Sequence, residues 1–481
     1  MLTEHQSEIL HKSLDILKDG NRLLITGSAG VGKTYMVDEL VKHLRAIYGG
    51  TFYLSAPTNQ AVSVLKGKIT PHPNSKLITT HKALKIKRFI DNNTGSITFK
   101  ASFDSKYPPL KGVKYLIIDE SSMIPLWLQM EIEEHADKQG CKVIFIGDQK
   151  QIQPVGESYS SVFLGKPHLF STPEEAVEFQ MNLPEGSKWI LSPDNIKEEY
   201  LCFVGYPEVE LTEIVRQKDG SPIIDLSRDL SLISTKEAVK NESGGYIYSN
   251  EYDKVLSTLA HVNGTDELKY LAYTNAEVDK VNRDVRKAVY GPEPAKIEKD
   301  ETLVFNAPFK EYYTNEELKV EKLLVREKVF KFLTIKGKYG QDDVYEEANL
   351  KYYSINFKNS TQEKFLSLDS WNSKENSEEI EDNIIVIHED SEANLKKIFS
   401  YLKAKANARE IDWTDYFEFI ESFADLKYNH AITIHKSQGS SFKQTILNYK
   451  NIKLCQDDAE RQRLLYTGVT RASELLILYN V

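Results

Sequence analysis

No apolar stretch in the sequence approaches the roughly 18 residues that a bilayer-spanning helix needs, so no membrane-crossing helix is expected. Cysteine is scarce. Its three occurrences, Cys141, Cys202 and Cys455, are scattered without a metal-ligand spacing, which fits a reducing cytoplasm. The first residues, Met1-Leu2-Thr3-Glu4-His5-Gln6, carry neither the basic stretch nor the apolar core of a secretory signal. An excess of positive charge is also missing. With a net charge of −10, the chain is not one that coats a polyanion by bulk electrostatics, and any such binding has to be local. Basic stretches at residues 82–88 and 319–331 and an acidic one at 375–392 each read, taken alone, as solvated surface. No fixed-period repeat or low-complexity tract is present, which sets aside solenoids and disordered tails.

What is present is a chain of 481 residues, too long for one hydrophobic core, so three or four structural units are expected. Short apolar runs at residues 23–26, 52–54, 115–118 and 143–146 alternate with helical patterns, the signature of a parallel α/β sheet. Ligands of open α/β sheets bind beyond the carboxyl ends of the strands, so the four strand endings should converge on one site. Between residues 84 and 111 the pattern breaks. Asp91-Asn92-Asn93-Thr94-Gly95 is turn chemistry flanked by Phe89-Ile90 and the alternating Ser96-Ile97-Thr98-Phe99, which predicts a small β-hairpin. A second α/β pattern begins near Glu210, with a strand at 270–273 and a helix at 278–289, and resumes at Ala431. Tyr- and Phe-rich sequence between them, with strand-like pieces at 329–335, 352–357 and 384–387, predicts an inserted β-rich module. Residues 156–206 fit neither pattern.

Gly27-Ser28-Ala29-Gly30-Val31-Gly32-Lys33-Thr34 fits the phosphate-binding loop G-x-x-x-x-G-K-[ST]. A strand precedes it, and a helix with Met36, Val37, Leu40, Val41, Leu44 and Ile47 on one face follows, ended by Gly49-Gly50. Glycines let backbone N–H groups wrap phosphates at the helix start, Lys33 neutralises the terminal phosphates, and the Thr34 hydroxyl is suited to Mg²⁺. In Leu116-Ile117-Ile118-Asp119-Glu120, two carboxylates end an apolar strand, where burial is costly without a cation or a catalytic duty. Asp119 is the candidate Mg²⁺ ligand and Glu120 the candidate base for the attacking water. Arg216 and Arg471 lie outside the first domain, as arginine fingers reaching across a cleft would.

Taken in order, these elements resemble superfamily 1 helicases of the 5′-to-3′ branch, the Dda-like and, more distantly, the RecD-like motors. Gln6 matches the adenine-reading Q motif. Ala56-Pro57-Thr58-Asn59 resembles motif Ia, and residues 79–84, with Thr80 and His81, the next strand-contacting motif. Residues 147–155 look like motif III, with Gln151 in the γ-phosphate-sensing place. The element around Arg216 is similar to motif IV, residues 432–439 (with Thr433, His435 and Gly439) to motif V, and residues 465–472 to motif VI. The resemblance implies ATP and Mg²⁺ at residues Gly27, Ala29, Gly30, Val31, Gly32, Lys33, Thr34 and Gly439, with Arg216 and Arg471 as γ-phosphate ligands. It implies stacking of bases on Tyr273 and Trp413, and backbone contacts from Pro57, Thr58, Thr80, His81, Thr433 and His435. Phe99 would be the wedge of a strand-separating pin.

The implied fold is α/β: two RecA-like domains with parallel sheets, one at 1–84 and 111–205, the other at 206–325 and 429–481, with a pin at 85–110 and an SH3-like tower at 326–428. The implied activity is ATP-driven 5′-to-3′ movement on single-stranded DNA and duplex unwinding in replication, recombination or repair, by a monomer in the cytoplasm of a bacterial or phage-infected cell. Forks, a single-strand-binding protein or a replisome component are the expected partners. Sugar-phosphate grip does not exclude a 2′-hydroxyl, so an RNA-directed motor stays open as an alternative. So does an accessory subunit acting through partners.

Overall fold

The computed structural model describes residues 2–101, 106–170, 172–182, 189–191, 200–213, 221–262, 267–310, 312, 314–337, 341–358 and 384–481. Arg22–Gly27 is buried along its whole length without polar alternation, so both of its faces must be covered. It lies inside a six-stranded sheet in the spatial order Glu208–Leu211, Arg22–Gly27, Lys142–Gly147, Val113–Ile118, Thr51–Ala56, Ser75–Thr79. Every pairing in it is parallel. One face is covered by the helices Glu4–Asp19 and Lys33–Tyr48 around Leu17, Leu40 and Leu44, the other by Leu126–Gln139 around Leu128 and Ile132. The strand Glu208–Leu211 pairs with Arg22–Gly27 from Leu24↔Glu208 to Gly27↔Leu211, so the first body reaches past the boundary at 206 that the sequence pattern indicates. Four residues that pair with the opposite end of the domain leave no local trace of which sheet they join.

A second six-stranded sheet has the order Val239–Asn241, Gly244–Ser249, Ala472–Tyr479, Phe442–Asn448, Leu268–Ala272, Ala431–Thr433. It is parallel except for its edge strand Val239–Asn241. The helices Tyr252–Val262 and Asn275–Tyr290 close one core and Asp458–Val469 contributes to another. The molecule is thus two RecA-like α/β bodies with β-rich insertions. Among the described residues no helix is long and apolar enough to cross a membrane.

The largest insertion is a five-stranded antiparallel sheet, ordered Ile384–Ile387, Val344–Lys358, Glu317–Ile335, Thr302–Phe305, Leu426–Tyr428. It starts at Thr302 rather than at 326, because the short run Thr302–Phe305 pairs with strands on both sides. The helices Glu389–Asn407 and Trp413–Ile420 pack on the far end of its long ribbon, around Phe332, Leu350, Leu402 and Trp413. Buried charges fix the near end: Arg286 donates to Glu301 at 2.6 Å, and Lys269, fully buried, reaches Glu317 at 3.4 Å. Within residues 156–206, Lys166–Phe170, Tyr200–Val204 and Trp189–Leu191 form a three-stranded antiparallel sheet. It is tied to the first body where Gln129 donates to the Gly165 carbonyl and to Tyr206.

The hairpin pairs Ile86–Ile90 with Ile97–Ala101. Its turn is held by Asp91, whose carbonyl accepts from Gly95 at 2.7 Å and whose carboxylate accepts from Asn93. The tip rests on the helix Trp413–Ile420. Gly95, at φ +70°, leaves so little room that a Cβ there would come within 2.5 Å of the Trp413 ring. Thr414 donates to Asn92 at 3.2 Å, Arg88 pairs with Glu421, and the Arg88 guanidinium lies 4.7 Å above Phe417. A methyl group at Gly95 meets both a left-handed backbone and this ring, so Gly95→Ala should cost roughly 1–3 kcal/mol, read as a lower denaturation midpoint. In the double variant with Trp413→Ala, which removes the colliding ring, the loss should be smaller than the sum of the two single losses; strict additivity would contradict the docking.

Candidate nucleotide site and strand-contacting surface

The strand Arg22–Gly27 delivers the chain to the carboxyl edge of the first sheet, and the loop beyond it turns on Gly30 at φ +89° and Gly32 at φ +77°, values that suit glycine. The helix Lys33–Tyr48 begins with Gly32 as its cap and has no side-chain cap, so its first-turn amides are open to an anion. Buried Val31 anchors the loop, and its carbonyl accepts from the Gln6 amide at 3.2 Å. Gln6 therefore holds the loop while its carbonyl oxygen accepts from the Thr3 backbone. Lys33 donates to the Gly27 and Ser28 carbonyls at 2.6 and 3.0 Å. Gly27 is required by packing, since a Cβ there would lie 2.7 Å from the Leu211 carbonyl oxygen.

A cleft of about 350 Å³ opens over this loop. The first body lines it with Gln6, residues 29–35, Asp119, Glu120 and Gln151, and the second body with Gly439, Ser440, Ser441 and Arg471. Glu120 sits at φ +53°, and its amide donates to the Asp119 carboxylate at 2.9 Å. Burial, then the charge of Asp119, push the Glu120 carboxyl above the usual range, while Arg471 and Lys33 pull the other way. Among the described residues no cluster of three His, Cys, Asp or Glu could hold a metal alone. One hydroxyl, Thr34, and one carboxylate, Asp119, face the same cleft. Such a partial set of hard oxygen donors fits Mg²⁺ completed by phosphate oxygens and water.

Several groups from the second body cross to the first, among them Arg463, which donates to the Ser158 carbonyl at 2.8 Å. The Tyr466 hydroxyl donates to buried Asp148 at 2.7 Å and accepts from the Ala29 amide at 2.9 Å. The Gln438 amide donates to Ser122, Gln151 and the Ile152 carbonyl at 3.2 to 3.4 Å. Arg471 is buried, with its guanidinium donating to the Ser440 and Thr467 carbonyls at 2.8 and 3.1 Å. Arg216 lies outside the described residues. Tyr466, Gln438, Ser440, Ser441, Lys68 and the exposed ring of Tyr35 are cleft or seam residues that the sequence reading did not single out. Tyr466 and Gln438 stood inside quoted motifs, but nothing local said which of their side chains cross.

The candidate strand-contacting residues follow the carboxyl ends of strands in both sheets. Pro57 and Thr58 follow Thr51–Ala56, and Thr58 caps the helix Asn59–Lys66 by accepting from Ala61 at 3.2 Å. Tyr273 follows Leu268–Ala272, with its ring 6.1 Å from that of His435, which in turn faces Glu460 at 3.6 Å. Burial lowers the His435 pKa and Glu460 opposes that. Thr433 is buried, and its hydroxyl accepts from the Lys436 amide.

Two expectations are corrected. Thr80 is fully buried and donates to Ser55, so neither its side chain nor its backbone is open to a strand. Trp413 is 5% exposed beneath the hairpin tip, a core residue rather than a base platform, because its helix turns its aromatic face inward. In its place stands an aromatic group around His81, whose ring is 6.5 Å from Phe99 and 5.8 Å from Trp127, both rings exposed. Burial lowers the His81 pKa.

Comparison with known proteins agrees. A family model described as an AAA domain matches residues 14–157, and one for the UvrD-like helicase C-terminal domain matches residues 428–479. The chain is 26% identical to an uncharacterized protein of Acanthamoeba polyphaga mimivirus over 99% of each. It is 25% identical to the ATP-dependent DNA helicase dda of Enterobacteria phage T4, over 98% of this chain and 97% of that protein. Among solved structures, Pif1 helicase from Bacteroides in complex with ADP-AlF3 and ssDNA aligns at 17% identity and a TM-score of 0.47, covering 100% of this chain and 92% of that one. Phosphate loop, paired carboxylates, cross-cleft arginine and relatives matched along nearly the whole chain support a superfamily 1B helicase of the Dda-like kind.

Proposed function

We propose that this protein is an ATP-dependent DNA helicase that moves 5′-to-3′ on single-stranded DNA and opens the duplex ahead of it. The observation that carries the reading is the cleft built jointly by two bodies: phosphate loop and carboxylates on one wall, Gly439 and Arg471 on the other. Residues suited to gripping a strand follow strand ends in both sheets, so the same relative movement that opens or closes the cleft changes the grip.

Thr34 and Asp119 would hold Mg²⁺, which when bound neutralises charge between the terminal phosphates. Lys33 cradles those phosphates, and Glu120 orients and deprotonates the attacking water. Gln151 and Arg471, with Arg216 by family resemblance, face the charge that develops on the transferring phosphoryl group. Tyr466 and Gln438 report the state of the loop to the second body. Tyr273, His435 and the group of His81, Phe99 and Trp127 hold bases and backbone without reading sequence, as a motor requires. The partners are single-stranded DNA and forks, and three buried free thiols suit a reducing cytoplasm.

The decisive measurement is ATP-dependent unwinding of one duplex carrying either a 5′ or a 3′ tail; opening of the 5′-tailed substrate alone is expected, and preference for the 3′ tail would overturn the polarity. Glu120→Gln should lower kcat about 10²–10⁴-fold while leaving affinity for oligo-dT intact. Tyr273→Ala should weaken oligo-dT binding by about 1–3 kcal/mol, with Tyr273→Phe close to unmodified protein.

A further inference from the structure

The hairpin uses only one of its two faces for the protein's own contacts. Residues opposite one another in an antiparallel pair share a side. Ile86, Arg88 and Ile90, with Ala101, Phe99 and Ile97 opposite them, form the inner side. Ile86 packs on the first body and Ile90 on the β-rich module, Arg88 is neutralised by Glu421, and Phe99 meets His81. The outer side presents Lys87 opposite Lys100 and Phe89 opposite Thr98, all four exposed. Like charges directly opposite weaken a hairpin. Neither Lys87 nor Lys100 has an ion-pair partner among the described residues.

The positive charge continues at the hairpin's root. The ammonium groups of Lys85, Lys106 and Lys111 lie 5.9, 5.5 and 5.8 Å from the centre of the exposed Tyr107 ring. From Thr80 to Lys114 the sequence holds eight cations, Arg88 and seven lysines, against two acids, Asp91 and Asp104. Asp91 spends its carboxylate on the turn amides of Asn93 and Thr94. In a chain of net charge −10, this is a local excess of positive charge at the hairpin and its root.

We infer that the outer face of the hairpin, centred on Lys87 and Lys100, binds the phosphate backbone of the strand that the motor excludes. The inference rests on the helicase reading. The inner face, beside His81 and Trp127, belongs to the translocating strand, so a second polyanion arriving at the fork meets the outer face. Paired lysines with an exposed aromatic, Phe89, next to them suit single-stranded DNA, in which bases can turn out to stack.

The test compares a 5′-tailed duplex with and without a 3′ oligo-dT flap. Unmodified protein should unwind the flapped fork faster. Lys87→Ala/Lys100→Ala should lose that advantage while keeping oligo-dT-stimulated hydrolysis and flap-free unwinding. The salt dependence of its fork binding should be shallower by about 1.4, two contacts at about 0.7 each. Lys100→Glu supplies a cross-strand ion pair with Lys87, so it should leave the hairpin folded and still lose the flap advantage. An unchanged salt slope and flap advantage in these variants, or indifference of the unmodified protein to the flap, overturns the inference. Failure of oligo-dT to stimulate hydrolysis by the unmodified protein would instead sink the motor reading, and this inference with it.

Discussion

One hydroxyl joins the two halves of the machine. Tyr466, on a helix of the second body, accepts from the Ala29 amide in the phosphate loop and donates to Asp148 at the end of a neighbouring strand. Backbone amides of such a loop are what a phosphate uses. A change at the loop and a change in the position of the second body are therefore not independent events. Gln438 repeats the arrangement a few residues away, touching Ser122 and Gln151 from the far side of the same seam. Both contacts are buried, where an unmade hydrogen bond costs more than at a surface, so the seam should move between discrete arrangements rather than drift.

Burial sets the chemistry of the site as well as its shape. Asp119, Glu120 and Asp148 bring three carboxylates close together at sheet ends, and the nearest compensating charges are Lys33 and Arg471, one from each body. The seam between the second body and the β-rich module follows the same logic. Arg286 lies 4.0 Å over the Tyr428 ring while it pairs with buried Glu301, so loss of either charged partner would strand the other in a poorly solvated position.

Four of the six strands of the first sheet were legible because they are continuous apolar runs, and the loop chemistry is dictated by glycine and lysine at fixed offsets. The hairpin was legible from five turn residues between two alternating runs. What local sequence could not show was partnership. Glu208–Leu211 and Thr302–Phe305 are four-residue strands whose sheets are decided by distant segments. Trp413 and Thr80 carry residue types that suit DNA contact, yet both point inward, and the side a side chain takes depends on what packs against it. Trp127 escaped notice for the opposite reason: on an amphipathic helix a tryptophan reads as core, and this one is exposed.

The long ribbon of Glu317–Ile335 and Val344–Lys358 has a mechanical consequence. A strand of 19 residues rising about 3.3 Å per residue spans about 60 Å. Its root is clamped where Lys269 of the second body reaches Glu317 of the ribbon, and at its far end Phe332 and Leu350 pack with the helix that receives the hairpin tip. It is a lever, with its fulcrum on one motor half and its load on an element rooted in the other. A rotation of a few degrees at the clamp becomes a displacement of several ångströms at the tip. The stiffness of two paired strands, kinked at two register shifts, sets how faithfully one body positions the hairpin carried by the other.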